Sequence, residues 1–252
     1  MGTDDTIFKN RLIELAERSY SRGCYCFTDF LSLAEQDVLF ALSKTLPQTG
    51  VTLHGGHQAC ERQMVRFGSM EQNGYEEPFP IACLRVMPKD NRFSEPLTHR
   101  DFLGAVMHLG VRREAIGDIF VRENTAILFS LQSIAPFLLE NLLKIRHTSV
   151  HCEILPECPA ALAPQLSSLA VNVASERADA VVGAVYRLSR KESANLFSAQ
   201  KVFINARTTE SPARILREGE VVSVRGFGKF IYRGIQRETK KGRNFIKVDQ
   251  YC

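Results

Sequence analysis

The spacing of hydrophobic positions changes along the chain, and the changes divide it. At the start the spacing is helical: Phe8, Leu12, Leu15 and Ala16 fall at i, i+4, i+7 and i+8, with Lys9, Arg11, Glu14 and Arg18 on the other faces. Ser32-Leu33-Ala34-Glu35 has the form of a capping box, in which hydroxyl and carboxylate satisfy the free amides of a helix's first turn. Val38, Leu39 and Leu42 supply the apolar face behind it. Gly50 to Gly56 breaks this pattern, and the polar run Ser69 to Pro80, with Gly74, Pro78 and Pro80, reads as a linker. A helical N-terminal domain is expected over residues 1–78.

From there strands and helices alternate. Ile81 to Met87 is a strand candidate, and Thr98 caps a helix with Phe102, Val106 and Leu109 on one face. Ile119 to Val121 and Ala126 to Leu131 are short strands about a turn at Glu123-Asn124. A second helix tolerates Pro136 in its first turn and carries Leu138, Leu142 and Ile145 along one side. Val150, Cys152 and Ile154 then alternate with His151 and Glu153, as in a half-buried strand. The order β-α-β-β-α-β predicts a ferredoxin-like, RRM-like domain over 79–160, a fold many RNA-binding domains share.

Pro156, Pro159 and Pro164 punctuate a second linker, and Leu169 to Val173 can lead as a strand into a last domain over 170–252. There an apolar helix, Ala180 to Tyr186, is followed by a second capping box, Ser189-Arg190-Lys191-Glu192, before Ala194, Leu196 and Phe197. Lys201 to Asn205 reads as a strand and Arg217 to Val224 as a turn into another. Phe230 to Gln236 and Asn244 to Asp249 form a hairpin closed by the basic tip Lys240-Lys241-Gly242-Arg243. The fold class expected for the whole is α+β.

Composition adds little until charge is counted by region. Hydrophobic residues at 44% and charged residues at 24% describe an ordinary folded protein. No stretch approaches the roughly 18 apolar residues needed to span a bilayer. Met1-Gly2-Thr3-Asp4-Asp5 lacks the basic-then-apolar order of a secretion signal, so a cytoplasmic location without membrane contact is expected. Seven scattered cysteines, an odd number, suit reduced thiols. Residues 171–252 hold 16 Lys and Arg against 8 Asp and Glu, whereas residues 1–170 hold 16 against 20. All the positive excess of the +4 chain lies in its last third, the footprint of a polyanion-binding module. Arg190 and Lys191 fall on the first turn of a capped helix, where free amides and the dipole already favour an anion. Cations there are unfavourable to the helix itself, which points to a phosphate partner.

The spaced elements Arg177-Ala178-Asp179, Ser189-Arg190, Val202 to Asn205 and Gly219-Glu220 resemble the S4 RNA-binding (αL) domain. Ala178, Ala206 and Glu220 depart from its usual Leu, Gly and Asp. Arg225-Gly226-Phe227-Gly228-Lys229 partly imitates an RRM stacking strand, but Lys229 stands where an aromatic should, so a glycine-rich turn into a basic strand with Lys229 and Arg233 on one face is expected. Upstream, Thr28-Asp29-Phe30-Leu31, Gly55-Gly56 with Glu61-Arg62, His99-Arg100-Asp101, and Leu109-Gly110 through Arg113 to Ile119 extend the resemblance to the YlmH-like S4-domain proteins over nearly the whole chain. Membership implies a non-catalytic factor that binds the large ribosomal subunit, through 23S rRNA and tRNA, in quality control of stalled nascent chains. It also implies a second RNA surface on the middle domain. The RNA-binding residues expected are Arg177, Asp179, Ser189, Arg190, Lys191, Lys201, Asn205, Arg207, Arg225, Lys229, Arg233, Lys240, Lys241 and Arg243, with His99, Arg100, Arg112 and Arg113 on the middle domain. A monomer without cofactor or metal is expected.

Rival chemistry finds less support. His99-Arg100-Asp101 lacks the Asn a kinase catalytic loop needs, with Val106 in its place. Pseudouridine synthases pair an S4 domain with a catalytic Asp, which makes Asp101 the candidate for an RNA-modifying alternative, but no Thr-Ser-Gly follows it. Cys24, Cys26, His54, His57 and Cys60 lack the paired spacing of structural zinc sites. No Walker loop or Gly-x-Ser-x-Gly is present.

Overall fold

A computed structural model describes residues 3–159, 162, 166–238 and 243–251. The chain divides between residues 163 and 164 into two compact units, each a mixture of helix and sheet. The boundary expected near residue 78 therefore lies inside the first unit. Among the described residues no helix is long and apolar enough to cross a membrane.

The first unit opens with α1 (Thr3–Arg22), β1 (Cys26–Phe27), α2 (Leu33–Leu42), β2 (Val51–His54), β3 (Met64–Phe67) and the short α3 (Met70–Asn73). Leu12, Leu15 and Ala16 form a buried cluster with Leu39 of α2 and Val65 and Phe67 of β3. The expectation of an all-helical segment is corrected here, because β1, β3 and β2 form a three-stranded antiparallel sheet in that order. Three of the four residues of the edge strand β2 are exposed, whereas Met64, Val65 and Phe67 of β3 are all buried. Neither strand shows the in-and-out alternation by which a half-buried strand is recognised.

The same unit continues through β4 (Ile81–Pro88), α4 (His99–His108), β5 (Ile116–Arg122), β6 (Thr125–Leu131), α5 (Ala135–Asn141), β7 (Lys144–Ile145) and β8 (Thr148–Leu155). These strands form an antiparallel sheet in the order β5-β6-β4-β8-β7. Phe102 and Val106 of α4 and Leu138 of α5 bury one face together with Leu84, Val86, Leu128 and Val150. On the opposite face Cys83, Ile127 and Phe129 are buried with Phe30, Cys60 and Met64 from the preceding segment. Gly56, at φ +96, permits this approach: a Cβ there would lie 2.3 Å from the Phe129 ring. Arg62 rivets the two parts, donating from its guanidinium to the carbonyls of Phe30 (2.8 Å) and Ile116 (3.0 Å) and from its amide to Asp118 (2.9 Å).

The second unit comprises β9 (Leu166–Val173), α6 (Ala178–Tyr186), α7 (Arg190–Ser198), β10 (Val202–Ile204), β11 (Arg207–Thr208), β12 (Val221–Val224), β13 (Gly228–Glu238) and β14 (Asn244–Tyr251). Its six-stranded sheet has the order β11-β10-β12-β13-β14-β9. Val181, Val182 and Val185 of α6 and Phe197 of α7 are buried with Val222, Phe230, Tyr232, Ile246 and Val248 of the sheet. Register shifts after Tyr232 and Ile235 bend the long β13 against β14. Asn205 and Ala206, at φ 50 and 64, make a two-residue mirror-image turn between β10 and β11. Lys240 and Lys241, expected at the hairpin tip, lie outside the described residues.

Candidate nucleic-acid interface

The strongest cluster of expected site residues lies where α6 and α7 pack together. Arg187 ends α6 in the left-handed region (φ 56), and the Leu188 amide returns to the Gly183 carbonyl at 2.8 Å, so α7 can begin directly after Ser189. The helices approach closely at Gly183, where a Cβ would stand 3.6 Å from the Ser193 Cβ. The Ser193 hydroxyl donates to the Asp179 carbonyl at 2.7 Å.

Asp179 is 6% exposed and accepts both nitrogens of the Arg177 fork, at 3.0 and 2.8 Å, together with the Ala180 amide at 2.9 Å. The Arg177 hydrogen bonds hold its carboxyl below the usual range, and the charge of Arg190 acts in the same direction. Arg177 is thereby held in place by the Asp179 carboxylate. At the start of α7 the Glu192 amide donates to the Ser189 hydroxyl (3.2 Å) and the Ser189 amide to the Glu192 carboxylate (2.8 Å), the capping box read in the sequence. Arg190 and Lys191 project from this first turn, both exposed.

Other cations join this end of the unit. The Arg225 amide donates to the Lys201 carbonyl at 2.9 Å, and the Arg225 guanidinium stands 5.8 Å from the centre of the Phe203 ring. The Tyr186 ring lies 5.5 Å from that of Phe227, which places the turn after β12 beside the end of α6. Arg187, exposed next to Tyr186, was not among the residues expected. The signal for it is positional: glycine or asparagine is usual where a helix ends in the left-handed region, so an arginine is held there at a conformational cost.

Several expected residues serve other ends. The Asn205 side-chain oxygen accepts from the Val221 amide at 3.0 Å and fixes its own turn. Lys229 and Arg233 do not extend the helix-side patch. Phe230 and Tyr232 between and beside them point into the core under α6 and α7, so strand alternation turns Lys229 and Arg233 to the opposite face. There the Lys229 ammonium lies 4.2 Å from the Tyr251 ring centre, and Arg233 donates to Asp249 at 2.7 Å. Arg207 and Arg243 are exposed.

In the first unit, the Asp101 carboxylate accepts from the Thr98 amide (2.8 Å) and hydroxyl (2.7 Å) and stands 3.8 Å from Arg146. These bonds, chiefly those from Thr98, hold its pKa below the usual carboxylate range, as suits a helix cap. Arg112 pairs with Asp29 at 3.1 Å. Arg113 turns inward to the carbonyls of Ile116 (2.5 Å) and Gly117 (3.2 Å), and burial followed by the charge of Arg62 pushes its pKa down to about 10. Of the two, both expected as RNA contacts, Arg113 is committed to the interior of the first unit, whereas Arg112 makes a surface ion pair. His99 and Arg100 begin α4 and are exposed. Among the described residues no group of three or more His, Cys, Asp or Glu is placed to hold a metal ion.

A family model described as "Putative RNA-binding domain in YlmH" matches residues 75–157. Over 217 residues the chain is 30% identical to the "Ribosome-associated protein quality control protein P2" of Bacillus subtilis (strain 168), covering 86% of this chain and 83% of that one. A solved structure described as "Cell division protein ylmH from Streptococcus pneumoniae" is similar at 24% identity with a TM-score of 0.49, covering 62% of this chain and 93% of that one.

Proposed function

Because the chain belongs to the YlmH family, and because its C-terminal unit gathers cations at a capped helix start, we propose that it binds structured RNA of the large ribosomal subunit. On this reading 23S rRNA and tRNA are its ligands, and its work is quality control of stalled nascent chains, as a monomeric cytoplasmic factor without chemistry of its own. The unit after residue 164 acts as an S4-type domain and the β4–β8 sheet with its two helices as a ferredoxin-like RNA-binding domain. The name of the Bacillus relative supports the ribosomal setting, and the family model supports RNA binding by the middle domain. The engagement of Asp101 in capping supports a binder over an RNA-modifying enzyme.

One observation carries the proposal: the exposed Arg190 and Lys191 stand on the first turn of the capped α7, which packs through Ser193 on α6 where Arg177 clamps the nearly buried Asp179. A phosphate seated there gains the helix dipole, the amides and two exposed cations, and it offsets the repulsion that Arg190 and Lys191 impose on the helix. Such contacts read the shape and backbone of A-form RNA rather than its sequence.

The test is sedimentation with purified large subunits, together with RNA affinity over a salt series. Arg190→Glu with Lys191→Glu should weaken co-sedimentation and reduce the slope of log affinity against log salt by about 1.8, roughly 0.9 for each phosphate no longer neutralised. A wild-type protein that never travels with large subunits removes the proposal, and so does an unchanged slope.

A further inference from the structure

Resting on the RNA-binding reading, we infer that a groove between α4 and the turn joining β7 to β8 is a second seat for the sugar–phosphate backbone of structured RNA, with Arg100, Lys144 and Arg146 as its phosphate contacts. The matched span 75–157 carries nine Lys and Arg against eleven Asp and Glu, so its overall charge repels RNA and any affinity must be local. The sheet face on which RRM-type domains stack bases is partly occupied here, since Phe30, Cys60 and Met64 are buried against Cys83, Ile127 and Phe129.

Elimination narrows the choice. Arg85 pairs with Glu153, Arg92 with Asp90, Arg112 with Asp29 and Arg122 with Glu123, while Arg113 is turned to backbone carbonyls. Lys89, Arg100 and Lys144 are left, and Arg100 and Lys144 line one open groove of about 440 Å³ together with Arg146, which is itself paired. Arg100 and Lys144 are exposed, and no ion pair joins either to another described residue. Arg146 is aimed by Glu95 (3.4 Å) and Asp101 (3.8 Å), and Glu95 also accepts from the His147 amide at 2.9 Å.

Two backbone features make sense with a ligand and cost stability without one. Arg146 sits at φ 51 in the two-residue turn, a conformation costly for an L side chain, where glycine would be relaxed but would bring no guanidinium. Gly104 occupies the interior of α4 on the groove floor, and a Cβ there would meet nothing within 4 Å. Packing therefore does not require glycine at a position where it weakens the helix, whereas a backbone lying across the helix would need the space.

The experiment measures affinity of the full-length protein for two probes, purified large ribosomal subunits and bulk tRNA, over a salt series. Arg100→Ala with Lys144→Ala should weaken binding by on the order of tenfold. The salt slope should flatten by about 1.8, as expected when two phosphates are no longer neutralised. Gly104→Gln and Arg146→Gly should each keep or raise the melting temperature while weakening binding. Weakening confined to the subunit arm assigns the groove to rRNA, and weakening confined to the tRNA arm assigns it to tRNA. If these variants bind both probes like wild type while the Arg190/Lys191 reversal weakens binding, the groove is overturned alone. If the wild type binds neither probe, the parent reading falls with it.

Discussion

Asp179 shows how one residue can serve stability and function at once. At 6% exposure its charge would be costly if unpaired, and the bidentate Arg177 fork with the Ala180 amide offsets that cost. Asp179→Asn keeps the volume and one acceptor but removes the charge, and should cost about 1–3 kcal/mol in urea unfolding at neutral pH. A carboxylate whose folded pKa is depressed contributes stability that is fully present above its unfolded value, near 3.9. That contribution is lost as the pH falls through the lower folded value. The wild type should therefore lose stability relative to the Asn variant as acid is added below about pH 4. Parallel stability curves for the two proteins between pH 6 and pH 2 would show that the Arg177 pair contributes nothing.

At the scale of elements, α7 depends on its cap. Ser189→Ala removes the hydroxyl that accepts from the Glu192 amide and should cost about 1 kcal/mol, read as a lower urea midpoint with an unchanged slope. Retention of the wild-type midpoint would show that packing of Leu196 and Phe197 alone sets the start of the helix. The capping boxes at Ser32 and Ser189 were legible in the sequence because both partners lie within three residues of each other, and Thr98 was legible as a cap, though its partner Asp101 was not. The alternation of β8 was legible at Val150 and Cys152, which are buried between exposed or half-buried neighbours, but not at Ile154, which was expected inside and is exposed. β2 and β3 were not legible, because one is an exposed edge and the other is buried at three of its four positions. The side of the sheet taken by Lys229 and Arg233 could not be read either: the sequence places them on one face, but which face depends on where α6 and α7 pack. Arg113 reads as an exposed cation until a long-range partner, Arg62, is seen to share its burial against Ile116.

For the whole molecule, the distribution of charge sets a measurable number. The unit from 164 to 252 carries 16 cations against 8 carboxylates, but Arg177, Arg214 and Arg233 are already paired with Asp179, Glu220 and Asp249. Counting cations by sequence alone therefore overstates the phosphates this unit can neutralise. The exposed helix-side set, Arg187, Arg190, Lys191, Lys201 and Arg225, predicts a slope of log affinity against log salt near −4.5 if it acts alone, at roughly 0.9 per phosphate. Adding Arg100, Lys144 and Arg146 steepens the slope to about −7, and full engagement of all sixteen C-terminal cations would give about −14. A value near −7 that falls back toward −4.5 when the three groove cations are replaced supports a two-seat interface. A slope near zero would mean that the charge asymmetry has no part in RNA recognition, because binding without counterion release does not use these side chains.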